Sequence, residues 1–180
     1  MSYYELLLFL HVTAAVVWLG SGLFLQALVF RAQKVGDDGL IQGVASNSGW
    51  LAQRVFIPAS LAVLAFGILL TIEGPWSFGD AWISIGLAGS ITSFLVGILF
   101  IEPEGKRIAA AMAAGERARA GFHIARINTV SRMELVVLYL VLAAMALKPT
   151  GEDGGVLVAG GLILVGALAY GVPKLRPATA

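Results

Sequence analysis

The chain has 180 residues, 58% of them hydrophobic and only 13% charged, with a formal net charge of +1. A soluble domain carries about 25% charged residues, so the deficit makes lipid the solvent and leaves no basic footprint for nucleic acid. Cysteine is absent, which excludes disulfides, thiolate metal sites and cysteine catalysis.

The first apolar run, Leu6–Phe30, is 25 residues long and holds no Asp, Glu, Lys or Arg. At ~1.5 Å per residue it exceeds a hydrocarbon core of ~30 Å, so it reads as a membrane span with room for tilt. Met1–Glu5 has no basic residue, and the run is far longer than the core of a secretory signal. The first helix is therefore expected to stay in the mature chain. His11, Ala15, Trp18, Gly22 and Gln26 follow helical spacing and define one stripe of it.

Four further runs follow: Val55–Ile72 with Pro58 placed in its first turn, Ala81–Ile101, Leu135–Leu147 and Val156–Pro173. Leu135–Leu147 has 13 residues, too few to cross unaided. The helical pattern continues upstream through Asn128–Glu134, which makes it a span and carries Glu134 into the membrane. The expected fold is an all-α bundle of five transmembrane helices forming one integral membrane domain over residues 1–180. Its spans fall at about 6–30, 55–72, 81–101, 128–147 and 156–173.

Segments 1–5, 73–81 and 148–155 hold one basic residue, Lys148, whereas 31–54, 102–132 and 174–180 hold eleven, Arg176 among them. This alternation suits five spans, and the positive-inside rule puts the N-terminus outside and the C-terminus in the cytoplasm. Between spans, Asp37-Asp38 reads as the start of a short interfacial helix. Gly115 and Gly121 read as breaks, and Glu102-Pro103-Glu104 as a helix-end motif. Trp76, Phe78 and Trp82 suit an interfacial aromatic belt. Gly89, Ser93 and Gly97 form a small-residue ridge for helix packing, as do Ala15 and Gly22 on the first span.

Ionisable residues inside a membrane are costly and point to function by default. His11 and Glu134 qualify. His11, roughly 8 Å inside the first span, reads as a haem or metal ligand, as a proton site, or as a neutral imidazole bonded to a backbone carbonyl or a nearby hydroxyl. His123 falls on the opposite side, on a face shared with Arg119 and Arg126 that reads as solvated, so paired ligation with His11 is not expected. Glu134 reads as a proton or cation relay, or as the partner of Arg132, Arg54 or Arg31 at the same depth, with Gln26 in the network. Arg54, which opens the second span, is the favoured partner. Zinc lacks ligands, and no catalytic residue set or phosphate-binding loop is present.

Several stretches carry a resemblance. They include Leu8–Val12, Ala14–Gly20, Trp50-Leu51 with Arg54–Ala59, Gly74-Pro75-Trp76, Gly105–Ile108, Arg132–Leu135 and Ala144–Pro149. In this order they resemble a bacterial family of predicted integral membrane proteins of unknown function, over about residues 4–149. His11, Trp18 and Gly20 are also similar to the opening of haem-biosynthesis oxidases of the HemJ type and copper-resistance proteins of the CopD type. The expected protein is a small multi-pass protein of the bacterial plasma membrane without a nameable activity. The alternatives are a haem b redox protein with His11 as axial ligand and a small proton-coupled transporter using Glu134. The bilayer is the expected partner; a homo-oligomer or a second membrane protein is also compatible.

Overall fold

A computed structural model describes residues 2–175; Met1 and residues 176–180, Arg176 among them, lie outside the described part. Helix α1 spans Tyr3–Val35. Ser2 and Glu5 start it with reciprocal bonds: the Glu5 amide donates to the Ser2 hydroxyl at 3.2 Å and the Ser2 amide to the Glu5 carboxylate at 2.7 Å. Gly36, with φ 72°, ends it in the left-handed region that glycine adopts without strain. Asp37 caps the short α2, Asp38–Ser46, through a bond from the Leu40 amide at 2.9 Å.

Four further helices complete the described chain: α3, Ser48–Glu73; α4, Ala81–Ala113; α5, Arg117–Leu147; and α6, Gly154–Leu175. Helices α1, α3, α4, α5 and α6 are each long and apolar enough to cross a membrane, and no strand occurs among the described residues. All five exceed the runs expected from hydropathy. Gly121 is not a break; it lies within α5, and Gly115 with φ 73° makes the turn between α4 and α5.

Pro58 and Pro103 are likewise interior to continuous helices and not in first turns. A proline lacks an N–H and its ring displaces the carbonyl four residues back. Both helices respond alike, with a π segment ending two residues before the proline: Ala52–Phe56 before Pro58, and Gly97–Ile101 before Pro103. The Ile57 amide bonds to the Ala52 carbonyl and the Glu102 amide to the Gly97 carbonyl, each five residues back.

Helices α1, α3, α4 and α5 close a four-helix ring through α1–α3, α3–α4, α4–α5 and α5–α1 contacts, and α6 packs on α5. Trp18, Ala59, Val63 and Leu138 form its buried centre. The stripe of α1 faces inward, and Phe9, Val16 and Phe24 on the opposite side are exposed, as lipid contact requires. Gly89 explains the close approach of α4 to α5: a Cβ there would lie 2.2 Å from Val141 Cγ2. One end of the bundle carries Tyr4, the 74–80 loop and Lys148, and is called the N-terminal face below. The other carries Arg31, Arg54 and the α4–α5 turn, and is called the basic face.

Candidate functional site

Two cavities lie inside the ring. The larger, about 440 Å³, opens toward the N-terminal face and is lined mostly by aliphatic residues together with Tyr4, His11, Trp18, Thr71, Trp76, Trp82, Ser90 and Lys148. The smaller, about 160 Å³, lies toward the basic face and is lined by Gln26, Ser48, Ser60, Ser93, Asn128, Ser131 and Glu134 among apolar residues. Trp18 and Leu138 belong to both walls, so the packed centre of the bundle is the septum between them. The α1 stripe is divided accordingly: His11 and Ala15 face the first cavity, Gly22 and Gln26 the second.

His11 is held by the backbone carbonyl of Val63, 3.0 Å from Nδ1. A carbonyl only accepts, so Nδ1 carries the hydrogen of this bond and Nε2 is the acceptor nitrogen of the neutral ring. Gly67 makes room for the ring: a Cβ at that position would stand 3.1 Å from His11 Cε1. Among the described residues no group of three or more His, Asp or Glu could hold a metal ion.

Lys148 follows the last residue of α5 with φ 48°. This is the one positive φ outside glycine among the described residues, and such positions store local strain. Its ammonium sits 4.0 Å from the Trp76 ring centroid and 5.2 Å from that of Trp82. The two indoles meet edge to face at 5.1 Å, and the Trp76 N–H donates to the Tyr4 hydroxyl at 3.2 Å. An alanine at Gly74 would place its Cβ 2.6 Å from Trp76 Cδ1, so that glycine lets the indole fold back over the helix end. Beyond Lys148, the backbone N–H and hydroxyl of Thr150 hold the Asp153 carboxyl below the ordinary carboxylate range.

Glu134 does not form the ion pair expected of it. Its carboxylate accepts from the Ser93 hydroxyl, while Arg132 donates to Gln33 at 2.9 Å and Arg31 and Arg54 are exposed. The reason is rotational: Glu134 turns toward α4, and the arginines point outward from the basic end. Gln26 shares the smaller cavity with Glu134.

The charged cluster sits elsewhere. Glu104 is fully buried, accepting from His123 Nδ1 at 2.7 Å, from Arg126 at 3.0 Å and from Arg107. The Arg126 guanidinium also lies over Phe100 and Phe122. Glu104 is thus not a helix-end residue, nor His123 a solvated one, since the α4–α5 hairpin folds both faces together. The signal that could have found them is the stripe Glu104, Ile108, Ala111 opposite Ala120, His123, Val130, all buried. This cluster clamps α4 to α5 and carries no open site.

No curated protein and no solved structure matches the chain. The matching family covers residues 5–149, which include His11, the cavity walls on α1 and α3 to α5 except Tyr4, the Glu104 cluster and Lys148. With five apolar helices of spanning length closing this bundle, the chain belongs to the family described as "Predicted integral membrane protein (DUF2269)".

Proposed function

We propose that the protein is a ligand-binding protein of the bacterial plasma membrane, its basic face in the cytoplasm. The larger cavity takes an apolar molecule with an acidic head. The observation that carries this reading is one cation, Lys148, held over Trp76 and Trp82 on the wall of a mostly apolar cavity of about 440 Å³, whose other polar groups are His11, Tyr4, Thr71 and Ser90. That is the size of small-molecule sites, which pair an apolar lining with a few polar groups. An acidic head would meet Lys148 and an aliphatic body the walls of α1, α3 and α4. The one-to-eleven split of basic residues supports the orientation, and the resemblance quoted above supports the bacterial membrane.

Three of the four tryptophans line this cavity, so their fluorescence reports on it. In nanodiscs, 11-bromoundecanoic acid is expected to quench them saturably. Lys148→Gly, which also removes the backbone strain, is expected to weaken this about tenfold, or ~1.4 kcal/mol; 11-bromoundecanol should bind weakly to both. Quenching that is linear in concentration and equal in both proteins would overturn the reading.

A second reading keeps His11 as a haem b ligand. It rests on the Val63 bond, because metal-ligating imidazoles use one ring nitrogen on a carbonyl and the other on the metal. A Soret band in protein expressed with ample haem, lost in His11→Ala, supports it; colourless protein ends it.

A further inference from the structure

Among the described residues, Glu134 is the only ionisable side chain lining the smaller cavity. A carboxylate facing an apolar surround without a cationic side chain is neutralised by a proton or by a bound cation. Three observations favour the cation. The wall is polar for its depth: Gln26 from α1, Ser48 and Ser60 from α3, Ser93 from α4, and Asn128 and Ser131 from α5 join Glu134 there, so side-chain oxygens reach the cavity from four helices. Asn128 Nδ2 is buried without a hydrogen-bond partner; this N–H donor calls for an acceptor, which a water in the shell of a partly hydrated ion supplies. Both π segments also enter the wall, through Ala52 and Phe56 on α3 and through Gly97 and Ile101 on α4. Such segments widen a helix and recur at functional sites.

We infer that this cavity binds one monovalent inorganic cation, with Glu134 as its counter-charge and the neutral side chains as oxygen donors. The volume of about 160 Å³ exceeds a bare ion and admits a few waters, each needing ~30 Å³, so the ion enters partly hydrated. A divalent ion would take several carboxylates in its shell, and one carboxylate balances one charge. The site stands apart from the acid-binding cavity, across the Trp18–Leu138 septum, and does not depend on it.

The test is binding of ²²Na⁺ and of ⁸⁶Rb⁺, a potassium-sized probe, to the full chain in nanodiscs. Saturable binding of one ion is expected, displaced by its own unlabelled chloride and not by choline chloride. Glu134→Gln should weaken it at least about tenfold, which is ~1.4 kcal/mol. Asn128→Ala leaves the carboxyl in place and should weaken it several-fold, so the test survives if the glutamine variant fails to fold. His11→Ala should leave it unchanged. If the native protein binds neither ion above empty nanodiscs, a proton alone neutralises Glu134 and the inference falls. It falls equally if Glu134→Gln and Asn128→Ala bind as the native protein does.

Discussion

The His123 imidazole donates to a fully buried Glu104 carboxylate at 2.7 Å and so ties α5 to α4 at the basic face. Arg126 and Arg107 donate to the other oxygen of that carboxylate and balance its charge. Removing one member of a buried ionic set costs more than the set contributes, because its partners stay buried and unpaired. Glu104→Gln should therefore destabilise the bundle by about 3 kcal/mol. A second change, Arg126→Gln, should recover part of the loss, since the two residues touch and their effects are not additive. Unfolding in mixed micelles of the single and double variants checks this; additive losses would refute the coupling.

Gly67 and His11 offer a finer test. A methyl at position 67 would approach Cε1 to 3.1 Å and Nδ1 to 3.5 Å, so the ring must give by a few tenths of an ångström. That lengthens the bond to the Val63 carbonyl, whose loss costs about 1 kcal/mol. Gly67→Ala should then lower stability by about that amount in the native background and by much less in His11→Ala. The same substitution should shift the His11 ring nitrogen resonances in ¹⁵N spectra. An unshifted ring would mean that the helices part instead.

Gly86 and Gly89 both stand at the α4–α5 crossing, yet an alanine should be tolerated differently at each. At Gly86 the clash is with Met145 Cε at 1.9 Å, the far end of a flexible side chain. At Gly89 it is with Val141 Cγ2 at 2.2 Å, on a β-branched side chain with one preferred rotamer. The second contact cannot swing away, so Gly89→Ala should cost about 1–3 kcal/mol by overpacking and Gly86→Ala less. Val141→Ala should rescue Gly89→Ala. Melting temperatures of the three variants in one detergent decide the order.

What the sequence could reveal divides along a physical line. Hydropathy and helical period are local, so the five spans and the single stripe of α1 that carries His11 and Gln26 were readable; that this stripe turns inward follows from the packing of the other helices. The ridge of Gly89 and Ser93 was readable for the same reason. Partner choice is not local. Glu134 bonds Ser93 and not Arg54 because of how α5 is rotated against α4. Glu104 and His123 are 19 residues apart and meet only through the register that the Gly115 turn sets. Charges beside a helix end read as solvated until that register is known. The prolines misled in another way: Pro58 looked like a helix start and Pro103 like part of a helix end, whereas the helix continues through each by widening one turn.

Orientation is the remaining expectation, and the chain suits a direct measurement because it has no cysteine. Ser77, in the loop between α3 and α4, and Ala113, at the end of α4, are both exposed and sit on opposite faces. The basic face carries Arg31, Arg54, Arg107, Arg117 and Arg119, and the N-terminal face carries Lys148. Insertion holds such clusters on the cytoplasmic side. A membrane-impermeant maleimide added to intact cells should therefore label Ser77→Cys and not Ala113→Cys, and both should react once the membrane is opened. Labelling of Ala113→Cys alone in intact cells would invert the protein. The larger cavity would then open to the cytoplasm, and its ligand would have to be sought there.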